Sequence, residues 1–352
     1  MIQHILIITD AWTPQTNGVV TTLRALEKEL QRTGMQVTIV HPGLFRTVPC
    51  PSYPEVRLAC CLPHHIGNVL HQWQPDAVHI ATEGPLGITA RHYLNRHQLP
   101  YTTSLHTKFP EYVNTRWPWI SLAAGYRFLN WFHRESRQVL VTTPQHRHEL
   151  VQAGMNPSQL TPWGRGVDLE TFYYLPEEKN LTEPTWLYVG RIAVEKNIEA
   201  FLKLNLPGRK RVVGDGPARA ELQRRYPKAE WLGVKRGEAL RQEYARANAL
   251  VFPSRTDTFG LVMLEALACG TPVAAYPVTG PRDIIEANSS GILSEDLQAA
   301  ALKCLTLDSQ QCRQAASQHS WGSCAERFIG SLVRLRETLN RNETSRSDCN
   351  AA

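Results

Sequence analysis

No uncharged apolar run in this chain approaches the roughly 18 residues that a membrane-spanning helix needs, so nothing in its 352 residues reads as a transmembrane segment. The opening residues carry no basic region, apolar h-region or small-residue cleavage site. The expectation is therefore a cytoplasmic protein, at most peripheral on the inner face of a membrane. The eight cysteines are scattered, with no Cys-x-x-Cys pair and no histidines at zinc-finger spacing, which leaves reduced, structural thiols and no metal site. No dense Lys/Arg block appears, so no nucleic-acid partner is expected. Low-complexity tracts and short repeats are also missing.

What is present is ordinary for a folded enzyme: 42% hydrophobic and 20% charged residues. Lys plus Arg exceed Asp plus Glu by 38 to 32, a formal +6 that mildly favours anionic partners such as nucleotides, phosphates or acidic lipid. The length exceeds what one hydrophobic core usually serves, which points to two domains and a cleft between them.

Short apolar runs alternate with amphipathic stretches along most of the chain. Ile5 to Thr9, Val37 to Val40, Ala77 to Ile80, Tyr101 to Ser104 and Val139 to Thr143 read as buried strands. The apolar spacing of Leu23, Leu26 and Leu30 makes Val20 to Thr33 a helix, and Leu86 to Arg96 is another. The alternation breaks into a polar, proline-bearing stretch between Asp168 and Pro184, then resumes. Strands are expected at Trp186 to Val189, Lys210 to Val213, Ala229 to Leu232, Ala249 to Phe252 and Pro272 to Ala275. Helices are expected at Ala218 to Arg225, Leu240 to Ala247 and Leu261 to Ala268. The fold class is α/β, with two doubly wound, Rossmann-like domains facing across a cleft. Residues 1–175 form the first domain and 184–320 the second, and residues 321–340 form a closing helical segment.

Ligands in open α/β sheets bind outside the carboxyl ends of the strands, so the loops after strands are the places to look. After the first strand, Asn17-Gly18-Val19 offers a sharp turn and a helix N-terminus suited to phosphate, or simply a turn. It lacks the Gly-x-Gly-x-x-Gly pattern of dinucleotide sites, which weakens a redox reading. The second half opens on Gly190-Arg191-Ile192-Ala193-Val194-Glu195-Lys196-Asn197. Arg191 and Lys196 could neutralise a diphosphate together, or be two solvated surface cations. Further on, Asp257-Thr258-Phe259-Gly260-Leu261 leads into a helix carrying Glu265, followed by Gly270-Thr271-Pro272-Val273. Asp257 can point into the cleft with Glu265 farther along the helix, both as acceptors for hydroxyls, while backbone N–H groups at Phe259, Gly260 and Leu261 face a diphosphate.

In these three stretches and two others the chain resembles the family 4 retaining glycosyltransferases of GT-B architecture. Asp257 and Glu265, with seven residues between them, match that family's paired acidic residues, with Asp in place of the more usual Glu. Gly190, Arg191, Glu195, Lys196 and Asn197 match a second motif, and Val213 to Pro217 a third. Asn17-Gly18-Val19 stands where the family has Gly-Gly, and His106, in Ser104-Leu105-His106-Thr107, where it has a histidine after a strand.

The resemblance implies that Arg191 and Lys196 hold a diphosphate without metal, that Glu265 takes the ribose and Asp257 the transferred sugar, and that His106 lies near the reacting carbon. Gly18, Phe259, Gly260 and Leu261 complete the donor site. No cofactor is implied, since the nucleotide sugar is a co-substrate. The closing segment would cross back onto the first domain, and base contacts would be made by backbone near Gly233 and Val234. The aromatic and basic run Arg116 to Arg134 is either core packing or an interfacial surface, and it points to a lipid or glycan acceptor and an anionic membrane surface. The expected reaction moves a hexose from a UDP- or GDP-sugar to such an acceptor, with diacylglycerol one candidate. A nucleotide-sugar-binding regulatory subunit and a GT-B epimerase are the alternatives.

Overall fold

The computed structural model describes residues 2–15, 17–50, 53–176 and 183–335. The first lobe contains β1 (His4–Ile8), β2 (Gln36–Val40), β3 (Thr47–Cys50), β4 (Tyr53–Ala59), β5 (Ala77–Ile80), β6 (Thr102–Leu105), β7 (Val139–Val141) and β8 (Leu160–Pro162). The second contains β9 (Thr185–Val189), β10 (Arg209–Val213), β11 (Glu230–Gly233), β12 (Ala249–Phe252), β13 (Val273–Ala275) and β14 (Gly291–Leu293). Each lobe has one six-stranded sheet, ordered β2-β1-β5-β6-β7-β8 in the first and β11-β10-β9-β12-β13-β14 in the second. Both sheets are parallel throughout. The antiparallel hairpin β3–β4 forms a separate ribbon.

A central parallel strand has helices over both faces and so must be apolar on both. β1 meets this requirement, since Ile5, Leu6, Ile7 and Ile8 are all fully buried. Strand order reverses between β1 and β5 in the first sheet and between β9 and β12 in the second, and crevices form at such reversals. The loops after β9 and β12 therefore converge. The loop after β10 also comes in against the loop after β9, and that approach depends on glycine: a Cβ on Gly214 would lie 1.9 Å from the carbonyl oxygen of Gly190.

The helix Trp321–Ser331 packs against the helix Gly18–Arg32 of the first lobe, and Phe328 is buried with Ile5, Ile7, Leu23 and Trp163. Beyond it, the Leu335 amide donates to Asp76 O at 2.8 Å. This helix is shorter than the expected closing segment, because the chain turns extended at Leu332. The remainder of that segment, residues 336–340, lies outside the described residues. The two lobes also touch across the cleft. Thr142 Oγ1 donates to Thr258 O at 3.0 Å, Thr258 Oγ1 donates to His106 O at 2.6 Å, and the Gln145 amide donates to Asp283 Oδ1 at 3.2 Å.

Candidate functional site

The loop after β9 turns at Gly190, and the hydroxyl of Tyr188 fixes the Arg191 carbonyl at 2.8 Å. A short helical turn, Val194–Lys196, then ends at Asn197, which adopts a left-handed conformation and ties its side-chain amide to Pro253 O at 3.1 Å. That bond clamps the β9 loop to the β12 loop. As a result, Lys196 meets Asp257: the ammonium forms an ion pair with Asp257 Oδ1 and donates to the Tyr112 hydroxyl at 3.1 Å. Tyr112 comes from the first lobe, so this cluster spans the cleft. Burial alone would depress the Lys196 pKa, but Asp257 and Tyr112 more than offset it and hold the ammonium above its usual range. Burial would likewise raise the Asp257 carboxyl, and Lys196, Ser254 and Tyr112 bring it below its usual range. Both groups are charged, and each is the other's counter-ion.

Gly260 precedes the helix Leu261–Ala268 at φ +94, a backbone conformation that L side chains rarely adopt, and a Cβ there would also press on Met263 Cε at 2.8 Å. The first intrahelical bond runs from the Met263 amide to Gly260 O at 2.9 Å. The amides of Phe259, Gly260 and Leu261 come before it, at the positive end of the helix. Four residues in, Glu265 accepts from the Tyr244 hydroxyl at 2.8 Å. Burial pushes its carboxyl up to about 7, against the lowering effect of that bond.

On the opposite wall, His106 follows β6. Its Nδ1 lies 3.0 Å from Arg165 Nη2 and its Nε2 lies 2.8 Å from Ser104 Oγ. A guanidinium can only donate, so Nδ1 accepts and the ring proton sits on Nε2, donated to Ser104. Burial, Arg165 and His79 keep the ring neutral, far below its ordinary pKa. Both ring nitrogens are thus engaged, and it is the His106 carbonyl that reaches the donor-side loop, through Thr258. The turn into Gly18–Arg32 is made by Asn17, whose Oδ1 accepts from the Val19 and Val20 amides at 3.0 Å each. Gly18, expected to supply a sharp turn, has no positive φ and faces open space where its Cβ would be.

A family model described as glycosyltransferase family 4 matches residues 16–171, and one described as glycosyl transferases group 1 matches residues 183–309. The chain belongs to glycosyltransferase family 4. It is 27% identical to a GDP-mannose-dependent alpha-mannosyltransferase of Mycolicibacterium smegmatis, over 93% of this chain and 92% of that protein. It is 25% identical to the alpha-monoglucosyldiacylglycerol synthase of Streptococcus pneumoniae, over 92% of this chain and 82% of that one. Identity to a sulfoquinovosyl transferase of Arabidopsis thaliana is 30% over 70% of this chain, and the match spans only about half, 51%, of that relative. The fold is shared with sucrose-phosphate synthase from Thermosynechococcus elongatus, at 20% identity and a TM-score of 0.76, over 99% of this chain and 100% of that one. The two sheets are those of a GT-B glycosyltransferase.

Several residues of this transferase's cleft left no mark in the sequence. Tyr112 sits in the helix Phe109–Arg116, whose mixed composition shows no periodic signal. Arg165 follows β8, a three-residue strand whose Thr161 and Pro162 give no apolar run. Tyr244 lies in the helix Gly237–Arg246, legible as Leu240 to Ala247, but nothing in that stretch marks its hydroxyl as the partner of Glu265. Among the described residues, no group of three or more His, Cys, Asp or Glu side chains could hold a metal ion.

Proposed function

We propose that this transferase moves a hexose from a nucleoside diphosphate sugar to a hydroxyl of a lipid or lipid-linked glycan, with cations and helix amides rather than a metal stabilising the leaving diphosphate. The observation that carries this reading is the meeting of Lys196, from the loop after β9 that also carries Arg191, with Asp257, from the loop that leads into the amino end of Leu261–Ala268, at the strand-order reversal of the second sheet. Such a crevice accumulates positive charge and free amides where a diphosphate would lie. Glu265, four residues deeper, suits the ribose hydroxyls, and Asp257 the sugar. The matched relatives named for GDP-mannose and for a diacylglycerol product agree with the donor and acceptor classes.

Neither candidate catalytic side chain is set up for a double displacement. Asp257 is committed to Lys196, and His106 has both ring nitrogens bonded. Departure of the diphosphate on the face the acceptor approaches fits these constraints: a phosphate oxygen takes the acceptor proton while Lys196 and the helix amides hold the developing charge.

The acceptor reading rests on the first lobe. Phe109, Phe128 and Trp131 form a row with successive ring centroids 5.7 and 5.8 Å apart. Trp119, 78% exposed, lies on the turn between their two helices, with Arg127 and Arg134 exposed nearby in the chain. Leu129 and Phe132 are buried beneath, so the run is core on one face and open on the other. An aromatic ridge with arginines suits an anionic lipid surface.

The test is to incubate the purified chain with UDP- and GDP-sugars, with and without diacylglycerol vesicles and EDTA, following nucleotide release and lipid product by mass spectrometry. Acceptor-dependent release that persists in EDTA is the expected result. Release abolished by EDTA would overturn metal independence, and epimerised donor without transfer would overturn the transferase reaction proposed for the site.

A further inference from the structure

A cavity of about 240 Å³ opens beside the Thr142–Thr258 contact, where the linker between the lobes meets the start of the last helix. Arg165, Arg327, Thr143, His319, Ser320 and Ser323 line it, and Arg191, Lys196 and Glu265 do not. Phe259, at the edge of the donor loop, also lines it, so the cavity adjoins the donor crevice without sharing its charged side chains.

Its charge is unusual. Arg165 is only 3% exposed, yet its partners are neutral: Nη1 donates to Gly164 O at 2.5 Å, Nη2 donates to His106 Nδ1 at 3.0 Å, and the guanidinium lies over the Trp163 ring at 4.3 Å. Arg327 Nη1 donates to Trp163 O at 3.4 Å. Among the described residues neither guanidinium forms an ion pair. A buried cation without a counter-ion is expensive, and proteins ordinarily pair one. Burial pushes Arg165 down to about 9, with Cys324 acting in the other direction. The wall holds one carboxylate, Asp283, and its two oxygens are taken by the Gln145 amide at 3.2 Å and the Gly280 amide at 3.3 Å. His319 is held neutral by burial and by Arg327.

Two helices also present their amino ends. The first turns of Pro144–Gln152 and Trp321–Ser331, capped by Thr143 and Ser320, contribute to the wall. Their dipoles add positive potential to that of the arginines.

We propose that this cavity binds a phosphate group carried on a small molecule or lipid headgroup, with Arg165 and Arg327 as its counter-ions. The volume lies below that of pockets for drug-sized ligands, about 300 Å³ and upward, which suits a phosphate with a short stem. The guanidinium that meets the phosphate also holds His106 Nδ1, so occupancy is sensed one side chain from the reacting groups.

The experiment is calorimetric titration of the full chain, in a phosphate-free buffer, with inorganic phosphate, glycerol 3-phosphate, GDP and UDP, and sedimentation with phosphatidylcholine vesicles with and without phosphatidic acid. Saturable phosphate binding weakened by about tenfold or more in Arg327→Ala, with affinity for GDP or UDP unchanged, is the expected result. Ser323→Ala, which keeps both charges, should weaken it less. Binding of glycerol 3-phosphate would assign a soluble ester, and binding confined to phosphatidic acid vesicles and lost in Arg327→Ala would assign a headgroup. No saturable binding to any of these probes, binding indifferent to Arg327→Ala, or phosphate displaced one-for-one by GDP or UDP would overturn the proposal.

Discussion

Two buried cations flank the seam between the lobes, and they are neutralised differently. Lys196 has a carboxylate against it, while Arg165 has only a carbonyl, an imidazole and an indole face. The first arrangement is complete without ligand, so in the proposed reaction a donor diphosphate would share or displace Asp257, which would then be released toward the sugar. Binding and sugar recognition would then be one event. The second arrangement is electrostatically incomplete and waits for an anion. A preformed ion pair therefore favours exchange of partners, whereas a lone buried cation favours capture.

The sharpest way to break this contrast is Lys196→Met. It removes the proposed diphosphate contact and leaves Asp257 buried without its partner. Transfer should fall about 10²–10³-fold in kcat/KM, by analogy with loss of a charge-stabilising donor, and stability by about 3–5 kcal/mol, the usual cost of breaking a buried pair. Thermal melts and steady-state kinetics read the two losses separately. Adding Asp257→Asn should restore much of the stability and none of the activity. Recovery of transfer in the double variant would mean that Lys196 acts only by holding Asp257.

How legible each half was in the sequence follows from how each is built. The second lobe's groups lie in contiguous stretches, Gly190 to Asn197 and Asp257 to Glu265, because one loop or one helix end supplies several of them. Its helix Leu261–Ala268 and strands such as β12 are apolar enough to be read at their full extent. The first lobe's wall is assembled from single residues far apart in the chain, His106, Tyr112, Thr142 and Arg165, and no spacing rule links them. Of the three-residue strands, β7 and β13 lie inside longer apolar runs and are legible, whereas β8, ending in Thr161 and Pro162, and β14, flanked by Ser290 and Ser294, are not; nor is the β3–β4 hairpin, its β3 carrying Pro49. Charge partnership was the other blind spot. Arg191, Lys196, Asp257 and Glu265 could be named as candidates, but that Lys196 and Asp257 neutralise each other depends on Asn197 clamping two loops whose anchor residues are 56 apart.

A smaller effect should come from Glu265, where pH replaces mutation as the lever. Its folded pKa of about 7 lies above the ordinary 4.5. Between those values the folded chain keeps a proton that the unfolded chain has released, so stability falls as pH rises through this window. Donor affinity should run the opposite way, because only the ionised carboxylate accepts from both ribose hydroxyls. From pH 6 to 8 the affinity for UDP or GDP should rise, by up to about tenfold for the single proton involved. Glu265→Gln should flatten both slopes, as titration calorimetry and thermal melts across that range would show. A slope that survives Glu265→Gln would move the ribose contact to another group.

The mildest change is Tyr112→Phe. The hydroxyl it removes accepts from Lys196 at 3.1 Å and donates to Asp257 Oδ1 at 3.4 Å, while the ring beneath the ammonium, 5.4 Å from its centroid, stays in place. Because the Lys196–Asp257 pair survives, the stability cost should be that of ordinary hydrogen bonds, about 0.5–1.5 kcal/mol. The kinetic signature is more telling than the size. Tyr112 is the first-lobe member of the cluster, so its loss should raise KM for the donor by a few fold with little change in kcat if it only helps close the cleft. A fall in kcat at unchanged KM would place the phenol against the reacting sugar, and the pair Lys196–Asp257 would then be exchanging partners with a first-lobe group during the reaction itself.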